Sequence, residues 1–113
     1  MDGNHYKAYH NRANCKDDFD DLRGAAEDYT KAIEINPTFY KAYNNRGSVY
    51  LQMVKNEEAY SDFKKALELS PGNPAVLFNM AEYYNETRED EKARRQFEMG
   101  IYHFFNEPKK SLR

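Results

Sequence analysis

The string Lys7-Ala8-Tyr9-His10-Asn11-Arg12-Ala13 returns almost letter for letter as Lys41-Ala42-Tyr43-Asn44-Asn45-Arg46-Gly47. One equal step further on, Ala75-Val76-Leu77-Phe78-Asn79-Met80-Ala81 keeps the same pattern of size and polarity. A chain that writes one unit three times is tightly constrained, because each copy folds alike and buries its apolar side on its neighbours. The copies run 6–39, 40–73 and 74–107 without insertion, flanked by a segment 1–5 and a tail 108–113. Copies one and two agree at about a third of their positions, among them Arg12/Arg46, Asp28/Asp62 and Pro37/Pro71. At 113 residues there is room for one such array and no second core.

Each copy splits into two segments of helical period around a polar break. In copy two, Tyr43, Gly47, Tyr50 and Leu51 make the first apolar stripe. Asn56, followed by Glu57 and Glu58, is the expected N-cap of the second helix. That helix carries Ala59, Phe63, Ala66, Leu67 and Leu69 and stops at Ser70-Pro71-Gly72. Copy one stops at Asn36-Pro37, and copy three at Asn106-Glu107-Pro108. No stretch alternates apolar and polar for long enough to predict a strand. Small residues recur at fixed places (Ala13/Gly47/Ala81, Ala25/Ala59/Ala93, Ala32/Ala66/Gly100) beside bulky ones (Tyr9/Tyr43/Leu77, Tyr29/Phe63/Phe97). Small against large is what close helix crossing requires.

A helix–turn–helix unit of about 34 residues with this signature resembles the tetratricopeptide repeat. In copy two the signature residues are Tyr43, Gly47, Tyr50, Ala59, Phe63, Ala66 and Pro71. The resemblance covers nearly the whole chain. It implies an all-α fold in which three helix pairs stack into a right-handed superhelix, the first helices lining a concave groove. It also implies a non-catalytic protein-interaction module. The departures are Lys16 in place of an aromatic, Phe105 in place of the third proline, and Asp20, Val54 and Arg88 where a turn glycine is usual.

Groove positions follow from the helical period, as the face opposite the packing residues. They are Lys7, His10, Asn11, Asn14 and Asp17 in copy one, and Lys41, Asn44, Asn45, Ser48 and Leu51 in copy two. Copy three supplies Ala75, Phe78, Asn79, Glu82 and Asn85. Asn11, Asn45 and Asn79 share one position, and a carboxamide offers donor and acceptor together, so three in register can pair with the main chain of an extended peptide. This resembles the asparagine ladders of longer repeat superhelices. Lys7, His10, Asn14, Lys41 and Asn44 flank it and would supply sequence preference. Each hydrogen bond nets only about 0.5–1.5 kcal/mol, which predicts weak binding from the ladder alone. The family's other groove chemistry, a clamp of lysines, arginine and asparagines for a C-terminal carboxylate, is matched by Asn14 and Asn45. His10, Ala75 and Asn79 stand where its cations belong.

Other chemistry is poorly represented. A net charge of −2 with interspersed signs carries neither a nucleic-acid nor a membrane footprint, and no apolar run approaches the ~18 residues of a membrane span. Asp17-Asp18-Phe19-Asp20-Asp21 lacks the alternation and distal Glu of a calcium loop and reads as a solvated turn. His5 and His10 share no helical face, so no metal and no cofactor is expected. Cys15 is expected to be a small, half-buried side chain, and Lys92, Arg94, Arg95, Lys109, Lys110 and Arg113 to form a mixed-charge surface with their acidic neighbours. One cysteine and a start without a secretory layout favour the cytoplasm. The stacking face of the last copy, with Ile101, Phe104 and Phe105, is apolar and offers an alternative role, self-association into a homo-oligomer through uncapped ends.

Overall fold

The computed structural model describes residues 5–87 and 90–106, the side chains at 90–94, 105 and 106 excepted. All the regular structure among them is helical: α1 His5–Asp18, α2 Leu22–Ile35, α3 Tyr40–Gln52, α4 Asn56–Leu69, α5 Pro74–Glu86 and α6 Asp90–Asn106. Arg88, Phe105 as a side chain, and most of the basic C-terminal residues lie outside the described set. No described helix is long and apolar enough to cross a membrane.

The helix ends follow local chemistry. Asp21 caps α2 by accepting from the Gly24 N–H at 3.0 Å. Asn73 caps α5 by accepting from Ala75 and Val76, with Pro74 inside the first turn, where its missing N–H costs nothing. The expectation for α4 is corrected: Asn56 is the first helical residue, and Lys55 occupies the cap without a side-chain bond. Glu57 and Glu58 answer the positive helix end instead. Pro37 and Pro71 follow the 14-residue helices α2 and α4. Copy three has Phe105 at that position, nothing forbids the next turn, and α6 runs to 17 residues.

Helices pack in sequence as α1 on α2, α3 on α4 and α5 on α6, while α3 also meets α2 and α1, and α5 meets α4 and α3. The first helices of the pairs therefore stand side by side along one wall. Between the layers Ala13, Ala25, Ala32, Ala42, Ala59 and Ala66 are fully buried, interleaved with Tyr29, Phe63, Val49 and Val76. The approach at Gly47 is very close. A Cβ there would sit 2.7 Å from Phe63 Cε1, so the ring lies directly against the α3 backbone. Cys15 differs from expectation and is exposed. Its counterpart Val49 is fully buried because α2 lies against α3, whereas no described helix packs on that side of α1.

The turns within the first two copies close in one way. The N–H of Lys55 reaches the Tyr50 carbonyl at 2.8 Å and that of Val54 reaches Leu51 at 3.0 Å; Asp21 to Lys16 and Asp20 to Asp17 repeat the pair. This doubly bonded helix end puts one residue in the left-handed region, at φ 63° for Asp20 and φ 60° for Val54. These are two of the positions where the family's glycine is absent. A β-branched side chain is strained there by roughly 1–2 kcal/mol, and Val54 is mostly exposed, so burial returns little. Val54→Gly should stabilise the fold by about 1 kcal/mol, after allowing for the glycine's greater freedom when unfolded. The check is a higher urea midpoint at unchanged slope.

Candidate functional site

Two side-chain systems join the copies. The first lies along the wall of first helices. Asn45 Nδ2 lies 3.0 Å from His10 Nε2 and donates to Asn14 Oδ1 at 3.4 Å, tying α3 to α1. One copy on, Asn79 Nδ2 donates to Asn44 Oδ1 at 2.9 Å, tying α5 to α3. Two carboxamides of the expected ladder, Asn45 and Asn79, thus reach back to the residue one position earlier in the preceding copy. Asn45 and Asn79 are half-buried, Asn44 is buried, and Asn11 is exposed. Asn14 also accepts a short hydrogen bond from the Tyr29 hydroxyl. Lys7 and Lys41 are exposed.

The structure therefore gathers His10, Asn14 and Asn45 into one polar cluster and Asn44 with Asn79 into another. Lys7, Asn11 and Lys41 lie outside both. Further along, Ser48, Leu51, Gln52, Asn79, Glu82 and Glu86 line a concavity floored by Phe63. It continues over Phe78, Asn85 and Phe97 between α5 and α6. Phe78 does more than face the hollow. Its ring lies where a Cβ on Gly100 would fall, 2.6 Å from Phe78 Cε1, and 5.2 Å from the Phe97 ring centre. The wall carries lysines toward α1 and carboxylates toward α5. Among the described residues no group of three His, Cys, Asp or Glu side chains is placed to hold a metal ion.

His10 is the titrating member of this wall. Its ring packs against Phe39 and Tyr29, with centroids 4.9 and 5.7 Å away. Burial pushes its pKa below the usual imidazole value; Asn11 opposes that shift and Lys41 adds to it. The neutral ring can accept at Nε2 from Asn45.

Sequence reasoning missed the second system. Arg12 Nε and Nη2 hold both carboxylate oxygens of Asp28 at 2.7 and 2.9 Å, and Arg46 does the same to Asp62 at 2.8 Å for both contacts. Lys16 adds a third cationic contact to Asp28 at 3.0 Å. Arg46 also reaches out of its own copy, donating from Nη1 to Thr30 Oγ1 at 2.9 Å, and it lies over the rings of Tyr43 and Tyr50. The hydrogen bonds from Arg12 hold the Asp28 carboxyl below its ordinary range against burial. For Asp62 burial outweighs the Arg46 contact and pushes the carboxyl up. The signal is present in the sequence: Arg and Asp keep one spacing in both copies and disappear together in copy three, as Met80 and Gln96.

Comparison with known proteins fits this architecture. Family models described as tetratricopeptide repeats match residues 40–73 and 63–95, and one described as a TPR repeat matches 20–54. The chain belongs to the tetratricopeptide repeat family. No curated protein matches it. Among solved structures it is similar to the first TPR of Spaghetti (RPAP3) bound to the HSP90 peptide SRMEEVD, at 19% identity and TM-score 0.86, over 98% of this chain and 88% of that one. It is also similar to the Sgt2 TPR domain from Aspergillus fumigatus, at 20% identity and TM-score 0.85, over 90% and 68%. A crystal structure of MamA aligns at 20% identity and TM-score 0.84 over 96% of this chain. The chain spans 63% of that MamA structure and 56% of a second one. These likenesses fix an all-α helical repeat array, and the matched family is one of protein-interaction modules.

Two outcomes follow from the geometry. Asp62→Asn leaves a largely buried guanidinium without its counter-charge and should cost about 3 kcal/mol. The pair Arg46→Met with Asp62→Gln, which writes copy three's solution into copy two, should cost less than about half of that, read from denaturant midpoints. The second outcome concerns pH. A histidine whose folded pKa is lowered leaves the unfolded chain holding more protons, so stability is level above about 6.5 and falls as pH drops through the folded value. His10→Asn, which copies Asn44, should flatten the fall in midpoint between about pH 6.5 and 5.

Proposed function

We propose that the concave wall of α1, α3 and α5 holds an extended peptide segment, with Asn11, Asn45 and Asn79 bonding its main chain. The observation that carries this reading is the pair of inter-copy bonds, Asn45 to His10 and Asn79 to Asn44. Each fixes one amide nitrogen and so orients the rest of that carboxamide. An amide has two N–H donors and two acceptor lone pairs: Asn79 keeps one N–H and its oxygen for a ligand, whereas Asn45, with Nδ2 turned to both His10 and Asn14, keeps its oxygen for a ligand N–H. Pre-orientation lowers the entropic cost of that second engagement. Asn11 is exposed and forms the open start of the row.

Charge sets direction. Lys7 and Lys41 stand at the α1–α3 end and Glu82 and Glu86 at the α5 end, so the bound segment places acidic side chains toward the first copy. Basic or aromatic ones lie over Phe78 and Phe97. Nη1 of Arg46 is already engaged with Thr30, so selectivity rests on the lysines, His10, Asn14 and Asn44. The HSP90 peptide bound by the Spaghetti (RPAP3) neighbour is acidic near its C-terminus, and that class of segment suits the Lys7–Lys41 end. A carboxylate clamp is still disfavoured, because His10, held neutral by burial, stands where that chemistry needs a cation.

The test is a fluorescence-anisotropy titration of a labelled peptide library. Asn45→Ala removes the amide that lies midway along the row. It should weaken capture about tenfold across peptide sequences, with a loss of stability of about 1–2 kcal/mol from the missing bonds to His10 and Asn14, and circular dichroism showing the fold retained. Lys41→Ala should weaken only acidic peptides. Unchanged affinity in Asn45→Ala would remove the ladder from the account.

A further inference from the structure

Aligning the copies by position shows which surfaces they use on one another. The residue after the ring of the second helix is Thr30, Lys64 or Glu98. The arginine position of the first helix is Arg12, Arg46 or Met80. Between copies one and two these positions face each other, as the bond from Arg46 Nη1 to Thr30 Oγ1 shows. On the second helix of copy two, one turn before that position, lies Tyr60. Its ring stacks 5.3 Å from that of Tyr83, the counterpart of Cys15 and Val49.

Both outer faces of the array carry the same positions uncovered. On α6, Phe97 is 50% exposed, whereas its counterparts Tyr29 and Phe63 are at 1% and 0%. Ile101 is also exposed, where Ile33 and Leu67 are half-buried. On α1, Ala8 and Cys15 are exposed, whereas Ala42 and Val49 are fully buried. The Arg12 side chain is 59% exposed against 17% for Arg46, and its Nη1 is not among the atoms bonded to Asp28.

We infer that a second copy of this chain docks end to end, its α1 lying on α6 in the register that α3 keeps on α2. The outer faces complement each other in charge as well as in shape. In that register Arg12 of one molecule meets Glu98 of the next, so a full ion pair replaces the Arg46–Thr30 hydrogen bond. Ile101 falls against the shallow apolar hollow formed by Ala8, Tyr9 and the stem of Arg12. The interface is heterologous and does not close on itself, so it generates open rows of molecules and not a single symmetric dimer. It takes up Phe97 at the far rim of the concavity, leaves the rest of the wall of first helices open, and does not depend on the peptide reading.

The 113-residue chain is tested by sedimentation velocity under reducing conditions over a wide concentration range. Mean mass should climb steadily with concentration without a plateau at dimer. Glu98→Lys sets two cations face to face, and Ile101→Asp places a charge in the apolar hollow; each should weaken association about tenfold or more, and circular dichroism reports whether the fold is intact. Ala8→Glu puts a charge into the same hollow from the opposite end and should also leave a monomer. The decisive arm mixes Ile101→Asp with Ala8→Glu. Each retains the end the other lacks, so the mixture should form a one-to-one dimer that neither forms alone. A wild-type chain that stays monomeric throughout overturns the proposal. So does a mixture that stays monomeric, or association that survives both end variants.

Discussion

Close helix crossing in this molecule depends on residues that have almost no side chain. Gly47 lies so near Phe63 that a methyl group there would overlap the ring, and Gly100 stands in the same relation to Phe78. Alanines fill the neighbouring positions at zero exposure. The close approach fixes the separation of helices within a copy. Since three copies share the pattern, it also fixes the step from one copy to the next. The wall of first helices, the spacing of its amides and the outer faces all inherit that step. A bulky residue at any small position would push one pair open and displace everything beyond it.

Polar chemistry does a second job that packing alone leaves undone. Apolar stripes at three- and four-residue spacing allow neighbouring helices to slide by a turn with little change in buried area. A two-pronged guanidinium–carboxylate contact does not, because its hydrogen bonds require one alignment. Arg12 with Asp28 and Arg46 with Asp62 set the register within copies, and Arg46 with Thr30 sets it between them. In copy three, Met80 is buried in the cluster around Phe63 and Val76, so apolar packing takes over where the ion pair is absent. The exchange is consistent with the near balance between a buried ion pair and an apolar substitute of similar size.

Much of this is legible in the sequence, for a physical reason. A repeat prints its packing rules several times, so Ala13/Gly47/Ala81 and Tyr29/Phe63/Phe97 can be assigned without coordinates. The residues that resist such reading act through a neighbour lying far away in sequence. Cys15 reads as a small, half-buried side chain because the sequence shows no reactive setting for it, yet burial at that position comes from the second helix of another copy, and no described helix lies there against α1. Asn56 has the chemistry of a cap, but the doubly bonded turn at Val54 starts the helix there and leaves Lys55 in the cap. The Arg–Asp pairs are visible as repeated letters and give no sign of being contacts. Their spacing joins two helices across a turn and follows no single helical period.

The asparagine row shows how one residue serves both the array and its wall. In isolation an amide in mid-helix is a weak helix former, and repetition by descent would be enough to account for three of them. The bonds from Asn45 and Asn79 to the preceding copy add a physical reason, since they cross-link first helices that otherwise meet only lightly. That role uses one face of the carboxamide and holds the other in a fixed direction. A side chain locked from behind is a better hydrogen-bonding partner than a free one, because less rotational freedom remains to be lost on binding. Asn11 is exposed and lies beside His10 of its own helix instead of bonding to another copy, so it is held less firmly than the other two. Residues on this wall therefore differ in stiffness even where the sequence is identical, and the difference arises from the stacking of the copies.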